Sequence, residues 1–462
     1  MKKLFLLLLI SSLFTSCLKD DLTFGTDGDS ENFVVLSGDL QTQTLTRGVR
    51  YLIKGQVFIK DGKTVTIEPG SVIFGDKATK GTLIVSPGGK LIAEGTASQP
   101  IVFTSSQTVE SRDRGDWGGI VVLGKATVNQ TNPAIEGINP PVIYGGTDDT
   151  DNSGIFKYVR VEYAGIELTP NNETNSMTLG AVGSGTIMEY CQLSYGGDDG
   201  FEWFGGTVNG KYLISLGMWD DDFDIDFGYR GRVQFALAVR YPTFADQSGS
   251  NNIEADNGPN DNVTAFLTEG VLSNLTAIGP RLTNSQVINA NYQHAVDLRR
   301  RTAITVANSV FVGMPRGIRM NQQSVFDNFN TGTGNLLNNV MSAPASTFTV
   351  GTGMTANATS LQNYWNANGN TTIAGVDFET PVTGIYATLG FNLNIFYGNS
   401  TQNFYPQNPS FEVASGTLTS GASFTHPKLT NPFFTTTTYR GAFGATDWTA
   451  TWAEFVPNLK AY

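Results

Sequence analysis

Beyond residue 33 the chain repeats one short pattern: two apolar residues separated by a single position, then a turn of Gly, Asp or Pro. Val57/Ile59, Val65/Ile67, Val72/Phe74, Leu83/Val85, Leu91/Ala93 and Ile101/Phe103 are such pairs. A period of two over short runs, with turn signals roughly every eight to ten positions, predicts strands that bury one face. Residues 112–154 break the rhythm with RDRGDWGGIVVLG and a polar, Pro-containing stretch, which predicts a coil bearing a long loop. The rhythm resumes at Phe156–Tyr163 and is clearest from Tyr190 to Gly228. Shifted on itself by 22 positions, that stretch sets Tyr190 on Tyr212, Asp198 on Asp220, Asp199 on Asp221, Phe201 on Phe223, Glu202 on Asp224 and Gly206 on Gly228. The apolar-charged-apolar phrase returns at Ile253-Glu254-Ala255, Val296-Asp297-Leu298 and Ile318-Arg319-Met320. A coil of this length cannot bury its apolar face alone, so such repeats predict a stacked solenoid.

Alternation then fixes which side chains face out. With Phe201, Trp203, Phe223, Ile225, Ile253, Ala255, Val296, Leu298, Ile318 and Met320 inward, the outward column reads Glu202, Asp224, Glu254, Asp297, Arg319, at about 4.8 Å per coil. A second column holds Phe204, Asp226, Asp256 and Arg299, and Asp198 and Asp199 extend the charged face. Like charges at that spacing repel unless something compensates them, which leaves bound metal, the Arg299–Arg301 cluster or water. Glu202, Asp220, Asp222, Asp224 and Asp226 supply the hard oxygens that calcium takes. Neither Asp222-x-Asp224-x-Asp226 nor Asp149-x-Asp151-x-Ser153-Gly154 completes an EF-hand loop, because Val233 and Arg160 stand where the closing Glu belongs. Ladder neighbours also satisfy the separations of a glycosidase carboxylate pair. The plainest expectation, a solvated acidic face, is preferred over both. Trp117, Trp203, Trp219, Phe204 and Tyr229 lie around the acidic turns and would offer sugar platforms if exposed.

Composition narrows the chemistry. Glycine is abundant (52 residues) and charged residues few (15%), which fits an all-β chain and argues against disorder. The formal charge of −12 repels phosphate backbones, so nucleic acid is not an expected partner. Cys17 and Cys191 are the only cysteines and His294 and His426 the only histidines. Thiolate metal sites, histidine zinc sites and Ser-His relays therefore lack material. After residue 346 the rhythm weakens; helices are expected at Ser360–Trp365 and, capped by Asp447, over Trp448–Phe455, with the last stretch plugging the open end of the solenoid.

Five stretches resemble known families. TVTIEPGSVIFG and GGKLIAEGTASQPIVFTS resemble the opening coils of right-handed parallel β-helices of bacterial surface proteins. Lys2-Lys3, the apolar run Leu4–Phe14 and Thr15-Ser16 before Cys17 resemble a lipoprotein signal peptide, too short to span a bilayer. Lys19-Asp20-Asp21 resembles the export signal of Bacteroidetes surface lipoproteins, whose ending TYRGAFGATDWTATWAEFVP is also similar. The resemblance implies acylation of Cys17, outer-membrane anchoring facing the cell exterior, and a role beside an outer-membrane β-barrel.

The expected organisation is a leader (1–16), a lipid-anchored tether (17–32), an all-β right-handed parallel β-helix (33–345) and irregular terminal coils with a cap (346–462). The expected function is a non-catalytic surface lipoprotein offering a rigid binding or scaffolding face, with Ca2+ or a glycan as candidate ligand. The alternative is a polysaccharide lyase or glycoside hydrolase that works on the acidic face.

Overall fold

A computed structural model describes residues 33–169, 172–281, 283–342 and 346–374, short pieces between 377 and 413, and 419–462. From Phe33 to Tyr462 the chain forms one compact unit. Cys17, Lys19, Asp20 and Asp21 lie outside the described residues.

The alternating pairs form one parallel sheet wound into a β-helix. One face stacks Thr82–Val85, Gly119–Leu123, Met177–Gly180, Phe201–Phe204, Phe223–Asp226, Ile253–Ala255, His294–Leu298, Arg316–Met320 and Ser346–Val350, all parallel. The other two faces share longer strands that bend midway: Gly154–Glu162, Ile187–Ser194, Asn209–Leu216, Arg232–Val239 and Val271–Ile278. The bend falls on one registered position, where Tyr158, Tyr190, Tyr212, Phe235 and Asn274 take φ of 50°, 54°, 59°, 61° and 57°. A left-handed backbone costs roughly 1–2 kcal/mol for a non-glycine residue. Ring stacking offsets it here, with centroids 4.4 Å apart for Tyr158–Tyr190 and Tyr190–Tyr212 and 5.2 Å for Tyr212–Phe235, worth about 0.5–1.5 kcal/mol per pair. Further along, Asn308 and Asn338 hold the same bend (φ 51° and 54°), as the short polar side chain tolerates it.

The core is one continuous column of the inward residues, including five of the six expected pairs. Val72/Phe74 is the exception: Ile73 enters the core, and Phe74 faces out against Phe33 and Arg50. The out-facing Phe74 gains an aromatic and a guanidinium neighbour, which an alternation count does not foresee. Gly75, next in that strand, lets Trp117 lie flat on the backbone, since a Cβ there would sit 2.3 Å from the indole.

The interruption after Leu123 is the long loop expected there. Val128, Ile135, Ile138 and Tyr144 fold back onto the outer side of Val121, Leu123, Ala181 and Phe204. The outward side of the acidic face is therefore roofed at one edge rather than solvated.

At the far end the helix Ala358–Ala367, capped by Asn357 and Ser360, inserts Leu361 and Trp365 into the core column. That helix was expected from the sequence; the one after Asp447 is corrected, since Trp448–Phe455 forms turns. The end of the chain is not an end plug either. It runs along the flank: Asn308 donates to Ser423 O, Asn274 to Tyr439 O, Gln234 to Thr435 O and Gln192 to Glu454 O, while Tyr462 donates to Glu162. Trp448 and Trp452 set their edges on the tyrosine stack. The bend leaves a row of rings and single amides with no strand partner, and the terminal segment satisfies both.

Candidate functional site

The outward column forms in the expected register: Glu202 opposes Asp224, Asp224 opposes Glu254, Glu254 opposes Asp297, and Asp297 opposes Arg319. Thr178 lies above Glu202 and Thr349 beyond Arg319. The column has two halves with different chemistry.

In the far half each carboxylate meets a guanidinium. Arg319 grips Asp297 with two nitrogens, Nε at 2.7 Å from Oδ1 and Nη2 on Oδ2. Arg299 reaches Asp256 through Nε (3.0 Å) and Nη2 (2.6 Å) and also pairs with Glu254, and Arg300 adds a contact to Asp256 at 2.8 Å. These carboxylates hold Arg299 protonated well above its usual range, despite its burial.

In the near half no described Lys or Arg pairs with Asp198, Asp199, Glu202, Asp220 or Asp224 within 4 Å. Carboxylate oxygens of Asp199, Glu202 and Asp224 lie within 4.8 Å of one another, and so do those of Asp198, Asp199 and Asp220. Burial, then mutual repulsion, drives the Asp198, Asp199 and Glu202 carboxyls well above the carboxylate range. Asp220 is pushed up to about 6 and Asp224 to about 7, with burial again the first cause. Few groups answer them. Asp199 Oδ1 accepts from Asp221 N at 2.7 Å, Asn175 Nδ2 donates to Glu202, and Ser248 Oγ donates to Asp220 at 2.7 Å. Asp220 Oδ1, Asp224 Oδ1 and the Oδ1 of Asn175 are buried without a hydrogen-bond partner.

Two sequence candidates go elsewhere. Asp222 faces inward at the turn, where it pairs with buried Arg240 at 2.9 Å and accepts from Ser215 and Asn252. Asp226 accepts from its own neighbour Phe227 N and is buried. Neither joins a converging group of carboxylates, while Asp198 and Asp199 do. The missed member is Asn175, which stands three positions before Thr178 as Asp199 stands before Glu202; the shared spacing was the available signal. Of the aromatics, Trp203 is buried as its inward assignment expects, Trp117 and Tyr229 are buried too and offer no sugar platform, Phe204 is partly covered, and Trp219 is 37% exposed. Trp117 and Tyr229 each spend their polar hydrogen on a backbone carbonyl, of Glu162 and Val208.

The near half gathers hard carboxylate oxygens with no described Lys or Arg within 4 Å. A Ca2+ ion takes oxygens at 2.3–2.6 Å, so two ligands across it stand about 4.8 Å apart, the limit within which both triads converge. Proton-transfer partners are scarce. His294 is buried, its Nε2 is 3.2 Å from Thr349 Oγ1, and burial with two nearby arginines pulls it down to about 3.

Residues 38–385 match the family model described as a pectate-lyase like beta helix domain. No curated protein and no solved structure matches the chain.

Proposed function

Because the chain belongs to the family of pectate-lyase-like β-helix domains, a fold that suits binding as well as catalysis, we propose that it serves as a non-catalytic binding module with a divalent cation at the near half of its acidic column. Asp199, Glu202 and Asp224 hold the ion, and calcium is the cation their oxygens suit. One observation carries this: carboxylates in the same register are matched by arginines in the far half and by no described Lys or Arg within 4 Å in the near half. Cys17 anchors the module to the outer leaflet of an outer membrane, with Lys19, Asp20 and Asp21 as its surface signal, beside a β-barrel partner. Calorimetric titration with calcium tests the metal. A single site is expected in the wild type and none in Glu202→Gln; equal heats in both would end the proposal. Membrane fractionation of Cys17→Ala tests the anchor, with release from the membrane expected.

A hydrolytic role is the second reading, favoured by Asp220 and Asp224 at about 6 and about 7, the range of a general acid. Release of reducing ends from a panel of polysaccharides, abolished in Asp224→Asn, would replace the binding role with this one.

A further inference from the structure

We propose that the flank of the β-helix is a docking groove for an extended polypeptide, read through its backbone, and that two copies of this chain exchange their terminal segments across it. Hydrogen bonds define the groove. Gln192, Gln234 and Asn308 each take one residue of the segment by both backbone groups: the amide oxygen accepts the N–H and the amide nitrogen donates to the C=O. The residues so held are Glu454 (2.8 and 2.6 Å), Thr435 (2.8 and 2.7 Å) and Ser423 (2.9 and 3.0 Å). Asn274 donates to the carbonyls of Tyr439 and Gly441, at 3.0 and 3.2 Å. All four amides are fully buried. A side-chain amide that meets one N–H and one C=O of the same residue stands in for a neighbouring strand. It specifies an extended backbone and no particular side chain.

Three features make the segment separable from the coils it covers. Among the described residues the continuous core column contains nothing beyond Trp365, so it closes without the segment. Phe443, Trp452 and Phe455 belong instead to a second cluster on the outside of the coils, with Leu216, Val239 and Ile278. No described residue of 419–462 joins the parallel sheet, and the β-bridge between Ser420 and Tyr439 lies within the segment itself. Contacts of this kind are satisfied by the segment of any copy, whichever coils it is tethered to. At roughly 3.3 Å per residue, positions 391–408 reach up to about 60 Å, enough to deliver the segment to a neighbouring molecule. An opened flank bares an apolar cluster, and the segment of a second copy is the complement that covers it in full. Within one chain the tether sets an effective concentration in the millimolar range, so exchange competes as the protein itself approaches about 1 mM. The exchanged pair keeps every contact of the single chain and persists on dilution, because both segments must leave together.

Lys211 Nζ lies 3.0 Å from Thr435 Oγ1, which marks one contact between coils and segment. Full-length Lys211→Cys and Thr435→Cys are mixed at about 1 mM, diluted, and treated with a short bifunctional thiol reagent. A covalent dimer is expected in the mixture and in neither variant alone above the level of the wild type, which carries the same Cys17 and Cys191. The double variant, treated in dilute solution throughout, should close within one chain. Gln192→Ala with Gln234→Ala in the Lys211→Cys chain should cut the mixed dimer about tenfold with unchanged circular dichroism. Ser423→Ala in the Thr435→Cys chain should leave it unchanged, because only the backbone there is read. Absence of a mixed dimer at about 1 mM while the double variant closes within one chain overturns the exchange. An undiminished dimer with the two glutamines replaced overturns the backbone reading, and a double variant that does not close overturns both.

Discussion

The near and far halves of the acidic column carry the same phrase in the same register, yet they solve the problem of stacked carboxylates differently. In the far half Arg299, Arg300 and Arg319 are covalently part of the solution: each carboxylate there is neutralised in the folded chain whatever the solvent contains. In the near half Asp199, Glu202 and Asp224 are brought equally close with no described Lys or Arg within 4 Å, and their carboxyls are pushed toward the neutral form, as burial also pushes Glu254 in the far half despite Arg299. Stacking of successive coils in register imposes the proximity in both halves; only the identity of the neighbours differs. The far half should therefore behave as a structural element insensitive to medium, and the near half as a site whose stability depends on what it binds.

The largest expected effect comes from making the far half resemble the near one. Asp297 is fully buried beneath Arg319, and removing one partner of a buried ion pair typically costs about 3–5 kcal/mol. Arg319→Ala should lower the urea midpoint accordingly, in calcium and in chelator alike. A loss under about 1 kcal/mol would mean that Asp297 is not held as an ion, and the contrast between the halves would disappear.

Calcium should act on the near half alone, and less strongly. At a free concentration a hundred times its Kd, an ion bound only by the native state adds about 2.7 kcal/mol. Thermal unfolding should rise with calcium and fall with chelator, and the shift should be absent in Asp224→Asn but intact in Arg319→Lys. A shift that survives Asp224→Asn would move the ion to the other triad, Asp198, Asp199 and Asp220.

A smaller effect follows from protons. Asp220 and Asp224 have folded values of about 6 and about 7, above the usual 3.8, so the folded state binds more protons than the unfolded chain between these limits. Their contribution is fully present below about pH 4 and is lost as pH rises through 6 to 7. In chelator, stability should decline over that window. With calcium saturating, the decline should flatten, because the ion takes the place of the protons. A chelated protein whose stability climbs from pH 4 to 7 would show that these carboxylates are held ionised, as in the far half.

How much of this was legible in the sequence depended on whether a residue sat in a strand or in a turn. Glu202, Asp224, Glu254, Asp297 and Arg319 lie mid-strand, where a period of two leaves one choice of side, and their column followed from the repeat. Asp222 lies one residue before a strand, where alternation has not begun, and it turned inward to Arg240. Trp117 was left open for the same reason: it precedes Gly119–Leu123, and it takes the core side. The flank-bound terminus was invisible because its receptors, Gln192, Gln234, Asn274 and Asn308, are single polar residues scattered over four coils, and only the left-handed bend aligns them.

The last prediction is the smallest in size and differs in sign. Replacing Asp224 by Asn in chelator removes one of three crowded carboxyls while preserving shape, and its Oδ1 has no hydrogen bond to lose. Near neutral pH, where the lost charge had been repelled by Asp256 and Asp220 and partly relieved by Arg299, the substitution should be neutral or stabilising by up to about 1 kcal/mol. The same chemical change in the far half, Asp297→Asn, strips Arg319 of its ionic partner and should destabilise. Measured side by side at pH 7.5 without calcium, the two Asp→Asn variants should therefore move the midpoint in opposite directions. If both destabilise alike, the near half has a partner in the folded chain after all, and the vacancy of positive charge that motivates the cation there is lost.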